Sequence, residues 1–470
     1  MIQTFSVTDV EREHPEYAAK RYMWRKYRDL YVGGETFLER ADRYLMRRHK
    51  EGNELFAERL LRAFYENYTG SIVDWYSATL FRREPVILFE GNDRAKDFYN
   101  GFTENCDLKG TQLTEFFRKQ FVEMLICGRS HIVVDFPRVA HPVESRAQED
   151  AEGRSSAYLV AYSADELINW SRDSEGNYEW VVLRTSGLRK SSIHDSHWVK
   201  HTRWVYYDKT TFRIYEHLEE SGKTSVTELI AEGVHGLAKQ NRVPLFDLDV
   251  GEGMWLLNKA ASLQLEHFNK SNALGWALTM GLFAMPVVYS ERTWNQIMGE
   301  SYYIQLGPQD RFGWTEPQGT VYQIATDNLT RLQEEIYRVC YLAQAGGGLS
   351  GGTLQSGLSK QRDFAITNEV LRAYGDAVKG SVKQVLRAIE AAREDNLAID
   401  VTGMDEFDIG DFGTELADAQ QLLGLGIDSP TLKRQVFQKL ALKYLCDARQ
   451  EVKEQIAREI EAGETCKNQE

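Results

Sequence analysis

The sequence predicts an α+β protein that is predominantly helical, and three patterns lead to this prediction. Apolar residues recur at three- and four-residue steps on both sides of a glycine-rich run, which indicates two long amphipathic helices. The middle of the chain alternates short apolar segments with turn residues, as antiparallel strands do. Beyond Pro317 the only proline is Pro430, which favours a helical C-terminal third because proline interrupts helices.

The glycine-rich run Gly346–Gly357 holds six glycines in twelve residues and separates the two predicted helices. The first helix is predicted over 327–345, with Thr326 or Asp327 as its cap. The second is predicted to run from a Ser359 cap to Arg393. Its predicted buried positions are Leu371, Tyr374, Val378, Val382, Val385, Leu386 and Ile389.

The glycine pattern of Gly346–Gly357 allows an alternative interpretation as a nucleotide-binding loop. Gly346, Gly348 and Gly351 form G-x-G-x-x-G, but the dinucleotide fingerprint follows a strand, whereas here a helix comes first. The P-loop motif needs a glycine followed directly by lysine and by serine or threonine. It is absent here, since Lys360 lies three residues beyond Gly357. A mobile connector is the simpler interpretation, and an enzyme that uses this loop on a nucleotide stays as the alternative.

Composition limits the class of protein. With 56 basic and 70 acidic residues the net charge is −14 and the pI is about 5.4, which argues against nucleic-acid binding through a generally basic surface. The five cysteines are widely spread and form no C-x-x-C pair, so neither a disulfide framework nor a zinc ribbon is indicated. No basic-then-apolar leader follows Met1, and we expect no secretory signal.

A second alternative is a membrane-inserting pore built on residues 271–290, which carry no charged side chain over the length of a spanning helix. Gly275, Gly281 and Pro286 interrupt this stretch. We therefore predict a helix that ends near Gly281 and is followed by a strand.

The remaining elements follow from periodicity and turn residues. Helices are predicted between Pro15 and Leu80 with breaks at Gly33-Gly34 and at Gly70, and over Leu113–Cys127 with Gly128 as the stop. Helices are also predicted over 416–422, 429–446 and 447–461. The predicted strands are VILFE, HIVVDFP, YLVAYS, YEWVVLRT, HWVKHTRWVYY, FRIYEHL, FAMPVVYS, SYYIQL and TVYQIA, with LAIDV and EFDIGDF as a further pair.

Candidate metal and catalytic groups do not form a convincing set. His197 and His201 share a strand face near His194 but lack a further ligand nearby. Two acidic groups could imitate cation sites without completing a calcium loop; they are Asp247, Asp249 and Glu252, and Asp405, Glu406, Asp408 and Asp411. No nucleophile motif occurs. We therefore predict that the chain has no catalytic, cofactor-binding or metal-binding residue and that it is not an enzyme.

In its order of motifs the chain resembles the portal proteins, or head-tail connectors, of tailed double-stranded DNA bacteriophages. The matching pieces are Trp24 to Gly34, Tyr44-Leu45, RAFYENYTGSIVDWYSATLFRREPVI, CGRSHIVVDFP, YLVAYSADELINW, VPLF, SGLSKQRDF and GLGIDSPTLKR. Together they extend over nearly the whole chain. The glycine content of the 346–357 run departs from the family pattern.

The resemblance implies the portal architecture of wing, stem, clip, tunnel loop and crown. The implied regions are a wing over 1–253, a stem helix over 254–281, a β-rich clip over 282–326, a second stem-region helix over 327–345, the tunnel loop over 346–357, a long helix and return to the wing over 358–411, and a helical crown over 412–470. Portal subunits form a ring, usually a dodecamer, at one capsid vertex.

The resemblance also implies partners and site residues. The DNA passes through the ring during packaging and ejection, and the expected protein partners are further copies of the chain, the terminase large subunit, a head-tail adaptor, and the major capsid and scaffolding proteins. No membrane or cofactor is expected, and the location is the virion after assembly in the host cytoplasm. The DNA-facing residues would be Gly346, Gly347, Gly348, Ser350, Gly351, Gly352, Thr353, Gln355, Ser356, Gly357, Lys360 and Arg362, and the clip docking residues Trp294, Arg311 and Trp314.

Overall fold

Two compact units make up the chain in a computed structural model. The first contains Met1–Arg28, Ile72–Asn258 and Gly352–Glu470, and the second Asp29–Ser71 and Lys259–Gly351. The residues that the structure describes are 7–82, 84–91, 93–137, 156–190, 193, 197–219, 227–282, 285–291, 308–315, 319–342, 357–405, 407, 412–425, 427, 429–444, 452, 455–456 and 459–460.

Helices fall mainly in the N-terminal and C-terminal thirds. Among the described residues they are α1 (Val7–Val10), α2 (Pro15–Val32), α3 (Gly34–Leu38), α4 (Asn53–Leu61), α5 (Tyr68–Leu80), α6 (Asp93–Glu104), α7 (Leu113–Cys127), α8 (Leu256–Leu282), α9 (Gly319–Val339), α10 (Gly357–Arg393), α11 (Phe412–Gly424) and α12 (Pro430–Tyr444). The α+β class predicted from the sequence is confirmed as a mixture of helix and sheet.

Strands pair in four antiparallel sheets within the described residues. They are β1 (Val86–Glu90), β2 (Arg129–Asp135), β3 (Tyr158–Ser163), β4 (Leu167–Arg172), β5 (Tyr178–Arg189), β6 (Val199–Asp208), β7 (Thr211–Glu219), β8 (Glu228–Val234), β9 (Leu245–Asp249), β10 (Met285–Tyr289), β11 (Arg311–Thr315) and β12 (Ala398–Thr402). The sheet orders are β4-β5-β6-β7-β8, β3-β2-β9, β1-β12 and β10-β11.

The core of the first unit lies along α10. All seven positions predicted to be buried on this helix have at most 1% exposure, because their spacing places them on one helix face that packs on α7, β9 and β12. The Tyr374 ring meets Tyr76 and Phe121 edge-on at 5.7 and 5.6 Å. Its hydroxyl donates to the Met254 carbonyl at 2.6 Å, so the polar tip is also satisfied inside the core.

Two predicted boundaries are confirmed by backbone geometry at glycines. Gly33 separates α2 from α3 with φ at 61°, a conformation that glycine adopts at low cost. Gly128 ends α7 with φ at 82°. The predicted break at Gly70 is wrong, because Gly70 is the third residue of α5. Asn67 Oδ1 accepts its N–H at 2.8 Å and so caps the helix.

Another correction concerns the start of α9. TVYQIA, predicted as a strand, forms the first turns of this helix, which covers Gly319–Val339 instead of 327–345. Thr326 and Asp327 are therefore interior helix residues and not caps. Ser359 likewise lies inside α10, which begins at Gly357.

The pairing of β12 also differs from the prediction. LAIDV forms this strand, but its partner is β1, with Val86 opposite Thr402 and Glu90 opposite Ala398. The predicted partner, EFDIGDF, contributes no strand among its described residues, and most of it lies outside them. SYYIQL falls entirely outside the described residues.

A half-buried carboxylate cluster surrounds Arg28 in the first unit. The guanidinium contacts Glu123 at 2.6 Å and Asp165 at 2.9 Å. The neighbouring Glu166 accepts from the Ser163 N–H at 2.6 Å and from its hydroxyl at 2.8 Å. Burial raises the pKa of Glu166, with the Asp165 and Glu123 carboxylates adding to the shift, because a single arginine cannot balance three acids.

Glu166→Gln tests this cluster. The native pKa lies above the 4.5 of the free side chain, so the ionised form weakens the fold at pH 7 and protonation restores stability as the pH falls. We expect the variant to melt at a higher temperature than the wild type at pH 7, with the difference disappearing below about pH 4.5. Calorimetry across this range measures it. Glu175→Gln, at an exposed position, serves as the control and should leave the melting temperature equal to that of the wild type at every pH.

Two glycines of α10 provide a matched stability test. A Cβ at Gly375 would lie 2.3 Å from the Met404 carbonyl oxygen, whereas a Cβ at Gly380 would meet nothing within 4 Å. We expect Gly375→Ala to lower the free energy of unfolding by about 1–3 kcal/mol through overpacking. Gly380→Ala should raise it by up to about 1 kcal/mol. Urea titrations measure the free energy of unfolding of both variants. Equal changes in that free energy would contradict the close approach of the Met404 carbonyl to Gly375.

Candidate functional site

The candidate site in the second unit is an antiparallel pair of helices, α8 and α9. Two hydrogen bonds join them: Lys270 Nζ donates to Asn328 Oδ1 at 2.9 Å, and Tyr322 OH donates to the Ala277 carbonyl at 3.3 Å. At the other end, Lys259 Nζ of α8 lies over the ring of Tyr341, just beyond α9, at 4.2 Å. Residue numbers rise along α8 while they fall along α9. At 1.5 Å per residue, this pairing extends for about 27 Å.

A short β-ribbon occupies the chain between the two helices. Strands β10 and β11 pair antiparallel, with Tyr289 opposite Arg311 and Pro286 opposite Trp314. Helix α8 ends at Leu282, only two residues before β10, as the sequence predicted for residues 271–290. Among the described residues, the order along the chain is therefore a helix, two paired strands and a returning helix.

Burial changes along α9 from one end to the other. Leu332, Ile336 and Cys340 are covered, with Ile336 at 0% exposure. Nearer the β-ribbon, Val321 and Ile324 are 64% and 67% exposed. We call Val321 and Ile324 the apolar pair of α9. The described part of the chain therefore covers one half of this helix and leaves large aliphatic side chains of the other half in water.

The C-terminal end of α9 is fixed where the glycine-rich run begins. The Leu342 N–H donates to the Tyr337 carbonyl at 3.0 Å, and Tyr341 takes a positive φ of 59°. Burial raises the pKa of the Cys340 thiol to about 12, which keeps this cysteine protonated and unreactive at neutral pH. The backbone up to Leu342 is thus held in place by packing.

The predicted site residues fall largely outside the description. Every predicted DNA-facing residue from Gly346 to Ser356 lies outside the described residues, as does Trp294. Gly357 begins α10, and Lys360 and Arg362 lie on its first two turns, where their side chains are outside the description. For the clip residues, Arg311 is exposed on β11, and Trp314 lies on the same strand. Their assigned roles stay predictions.

The basic residues on α9 lie next to an acidic residue of the same helix. Arg338 Nε donates to Glu335 Oε2 at 2.7 Å in an exposed pair one helical turn apart. This hydrogen bond lowers the pKa of Glu335. Arg331 is also exposed and lies near enough to Glu335 to contribute to that shift. Both side chains thus belong to a solvated helix face with its own counter-charge.

The metal alternatives receive no support from the described residues. Across those residues, no three His, Cys, Asp or Glu side chains are placed to hold a metal ion. Asp247, one of the acids that imitate a calcium loop, accepts from Tyr178 at 2.8 Å and Arg172 at 2.9 Å and pairs with His131 at 2.7 Å. This network holds β9 against its neighbours, and the sequence offered no signal for it because its members are far apart in the chain.

The hydropathy of the helices bears on the pore alternative. Among the described residues, no helix has the length and apolar character needed to span a bilayer.

No family model matches the chain, and no curated protein matches it. Two structures with which it aligns are a chain of the neck of an empty gene transfer agent particle computed with C6 symmetry, and a chain of the virion of a native gene transfer agent particle. The first has 11% identity, a TM-score of 0.43, and coverage of 79% of this chain and 90% of the other. The second has 11% identity, a TM-score of 0.39, and coverage of 78% and 88%. At these scores neither similarity carries an argument about function.

Two isoleucines of α9 test the difference in burial. We expect Ile336→Ala to lower the free energy of unfolding by about 2–5 kcal/mol, since it empties a fully covered site. Ile324→Ala on the exposed half should stay within about 0.5 kcal/mol of the wild type. The measurement is denaturant unfolding at a protein concentration low enough to keep the chain monomeric. A large loss from Ile324→Ala would contradict the exposed position.

Proposed function

We propose that this chain is a phage portal protein, a homo-oligomeric ring that conducts double-stranded DNA at one capsid vertex. The observation that carries the proposal is the antiparallel α8–α9 pair with its β-ribbon, followed by the glycine-rich run and the 37-residue helix α10. This succession agrees with the stem, clip and tunnel-loop order that the sequence resemblance implies. In this proposal the protein is a conduit and not an enzyme.

The apolar pair of α9 supports assembly from many copies. Val321 and Ile324 lie three residues apart and so occupy one helix face. Leu278 on α8 is 44% exposed and Tyr289 on β10 is 64% exposed. Aliphatic side chains at these exposures favour a protein contact because burying each one contributes about 1.5–3 kcal/mol. In a ring, the α8–α9 pair of the adjacent copy would cover them.

The charge of the chain suits a channel through which DNA must slide. Each lumen-facing cation would be repeated once per copy, and every neutralised phosphate strengthens binding and its salt dependence. The net charge of −14 and the Arg338–Glu335 pairing limit such contacts on α9. Glycine and serine backbone groups in the 346–357 run would meet DNA weakly and without regard to sequence.

The proposed partners follow from the parts of the ring. The β-ribbon with Arg311 and Trp314 would dock the terminase large subunit during packaging and a head-tail adaptor later. The outer surface would meet the major capsid and scaffolding proteins. The packaging energy would come from the separate terminase ATPase.

Ring formation can be tested with two variants of opposite expected effect. The wild type should form closed rings with a central hole in negative-stain class averages. The double variant Val321→Asp, Ile324→Asp should remain folded but lose rings, because burying carboxylates against a neighbouring copy is costly. Deletion of Gly348–Ser356 should preserve rings and reduce DNA packaging or genome retention in a phage assembly assay.

Circular dichroism and melting curves verify that each variant is folded before the images are compared. A wild-type protein that stays a single particle at high concentration overturns the proposal. Compact particles whose melting temperature rises with added nucleotide would support the enzyme alternative instead. Rings that persist in the double variant would remove the apolar pair of α9 from the interface.

A further inference from the structure

A dense group of cations lies in the second unit between α3 and α4. The eight residues Arg43–Lys50, RYLMRRHK, include Arg43, Arg47, Arg48, Lys50 and one histidine, with no acid. All four Lys and Arg residues are exposed. We call Arg43–Lys50 the basic turn. In a chain with a net charge of −14, this concentration of positive charge has no part in the ring described above.

The backbone of the basic turn is held by side chains from other elements of the same unit. Asn269 on α8 accepts from the Met46 N–H at 2.7 Å and donates to the Tyr44 carbonyl at 3.1 Å. Arg59 on α4 donates to the Met46 carbonyl at 3.3 Å. Lys50 completes the turn with a positive φ of 63°. The cations are therefore presented from an ordered backbone, which reduces the entropy lost on binding.

The acid that follows the basic turn, Glu51, is held by a buried arginine and by the backbone of the turn. Both carboxylate oxygens of Glu51 accept from Arg59 Nη1 at 2.8 Å, and the two side chains are 1% and 6% exposed. A buried carboxylate of this kind stays with its buried partner, since separating them leaves an uncompensated charge. The Arg48 N–H also donates to Glu51 Oε2 at 3.0 Å, and the hydrogen bond from Arg59 together with the charge of Arg48 lowers the pKa of Glu51. Glu51 thus stabilises the turn and offsets part of the Arg48 charge.

The exposed cations are left without an ion pair. Within the described part of the chain, Arg43, Arg48 and Lys50 form no salt bridge, and the exposed acids Asp42 and Glu54 form none with them. Arg47 lies over the Phe56 ring at 4.5 Å and donates to Asn53 Oδ1 at 2.9 Å. Its guanidinium position is therefore set by neutral groups.

We propose that the basic turn binds the phosphate backbone of double-stranded DNA. Arginine and lysine on an exposed turn suit closely spaced phosphates, and such contacts do not depend on base sequence. The cluster of exposed cations specifies an anionic partner, and the choice of DNA rests on the proposed function. An acidic surface of a second copy is the competing occupant, and the experiment below separates the two.

The test compares two triple variants with the same change in charge. The first is Arg43→Gln, Arg48→Gln, Lys50→Gln in the basic turn. The control is Arg62→Gln, Arg118→Gln, Arg372→Gln, whose native side chains are exposed but paired with Glu58, Glu115 and Glu369. Fluorescence anisotropy of a labelled 30-base-pair duplex, titrated with the full chain from about 50 to 200 mM salt, gives the salt slope of the binding constant.

The expected result is a difference in slope. Three lost phosphate contacts should reduce the slope of log K against log salt by about 2.7, at about 0.9 per phosphate, while the control triple keeps the wild-type slope. Absence of wild-type DNA binding, or equal loss in both triples, would overturn the proposal. So would effective competition by poly-glutamate, or a basic-turn triple that loses rings while its DNA binding is unchanged, since each points to a protein contact.

Class averages of the same samples keep this inference separate from the portal proposal. DNA binding that depends on the basic turn, in a protein that forms no rings, would leave this site standing and remove the ring. Rings whose DNA binding does not depend on the basic turn would support the portal proposal and remove this site.

Discussion

Incomplete coverage of the α8–α9 pair within one chain is the physical constraint on which the proposed assembly depends. A helix gains hydrophobic stabilisation only where another element removes its apolar face from water. Ile336 and Cys340 meet that condition within the chain, and Val321 and Ile324 do not. Two exposed aliphatic side chains on one helix face are a weak signal alone, because monomeric proteins expose many apolar atoms. Here they accompany Leu278 on the partner helix and Tyr289 on the adjoining ribbon, so the exposed positions belong to one stretch of the structure.

Several elements were predictable because their residue pattern admits a single period. The seven apolar positions of α10, from Leu371 to Ile389, satisfy the helical spacing and cannot alternate as a strand. TVYQIA was mispredicted because Val321, Tyr322 and Ile324 in a short β-branched run fit both periods. The pairing of β12 with β1 joins residues 316 positions apart, as in the Thr402–Val86 contact, and local patterns cannot specify such a partner. The apolar pair of α9 and the basic turn were missed for a related reason, since exposure depends on the covering elements.

Glycine illustrates how one residue type serves different physical purposes in this chain. Gly33 and Gly128 supply positive φ where helices end, and their sequence context predicted this. Gly375 instead leaves room for the Met404 carbonyl, and Gly70 leaves room for the Asn67 side-chain amide and the Tyr31 carbonyl. Within a helix such a glycine resembles a break or a bend when only the sequence is known. Which atom occupies the space of the missing Cβ depends on the tertiary structure and cannot be predicted from the local sequence.

A basic turn is compatible with DNA that slides, because ionic contacts are conditional on salt. Each phosphate contact exchanges a condensed counterion for a side chain, so the affinity falls steeply as the salt concentration rises. In the proposed ring, a few contacts per copy would then form and release while the remaining acidic surface repels the backbone. The buried Glu51–Arg59 pair matters in this balance: if the Glu51 carboxylate were free to turn outward, it would neutralise more of the turn, and its salt bridge to Arg59 prevents that. The chain thus keeps positive charge localised at one fixed place, where the proposed contact with DNA would be regulated by counterions and would not become a permanent grip.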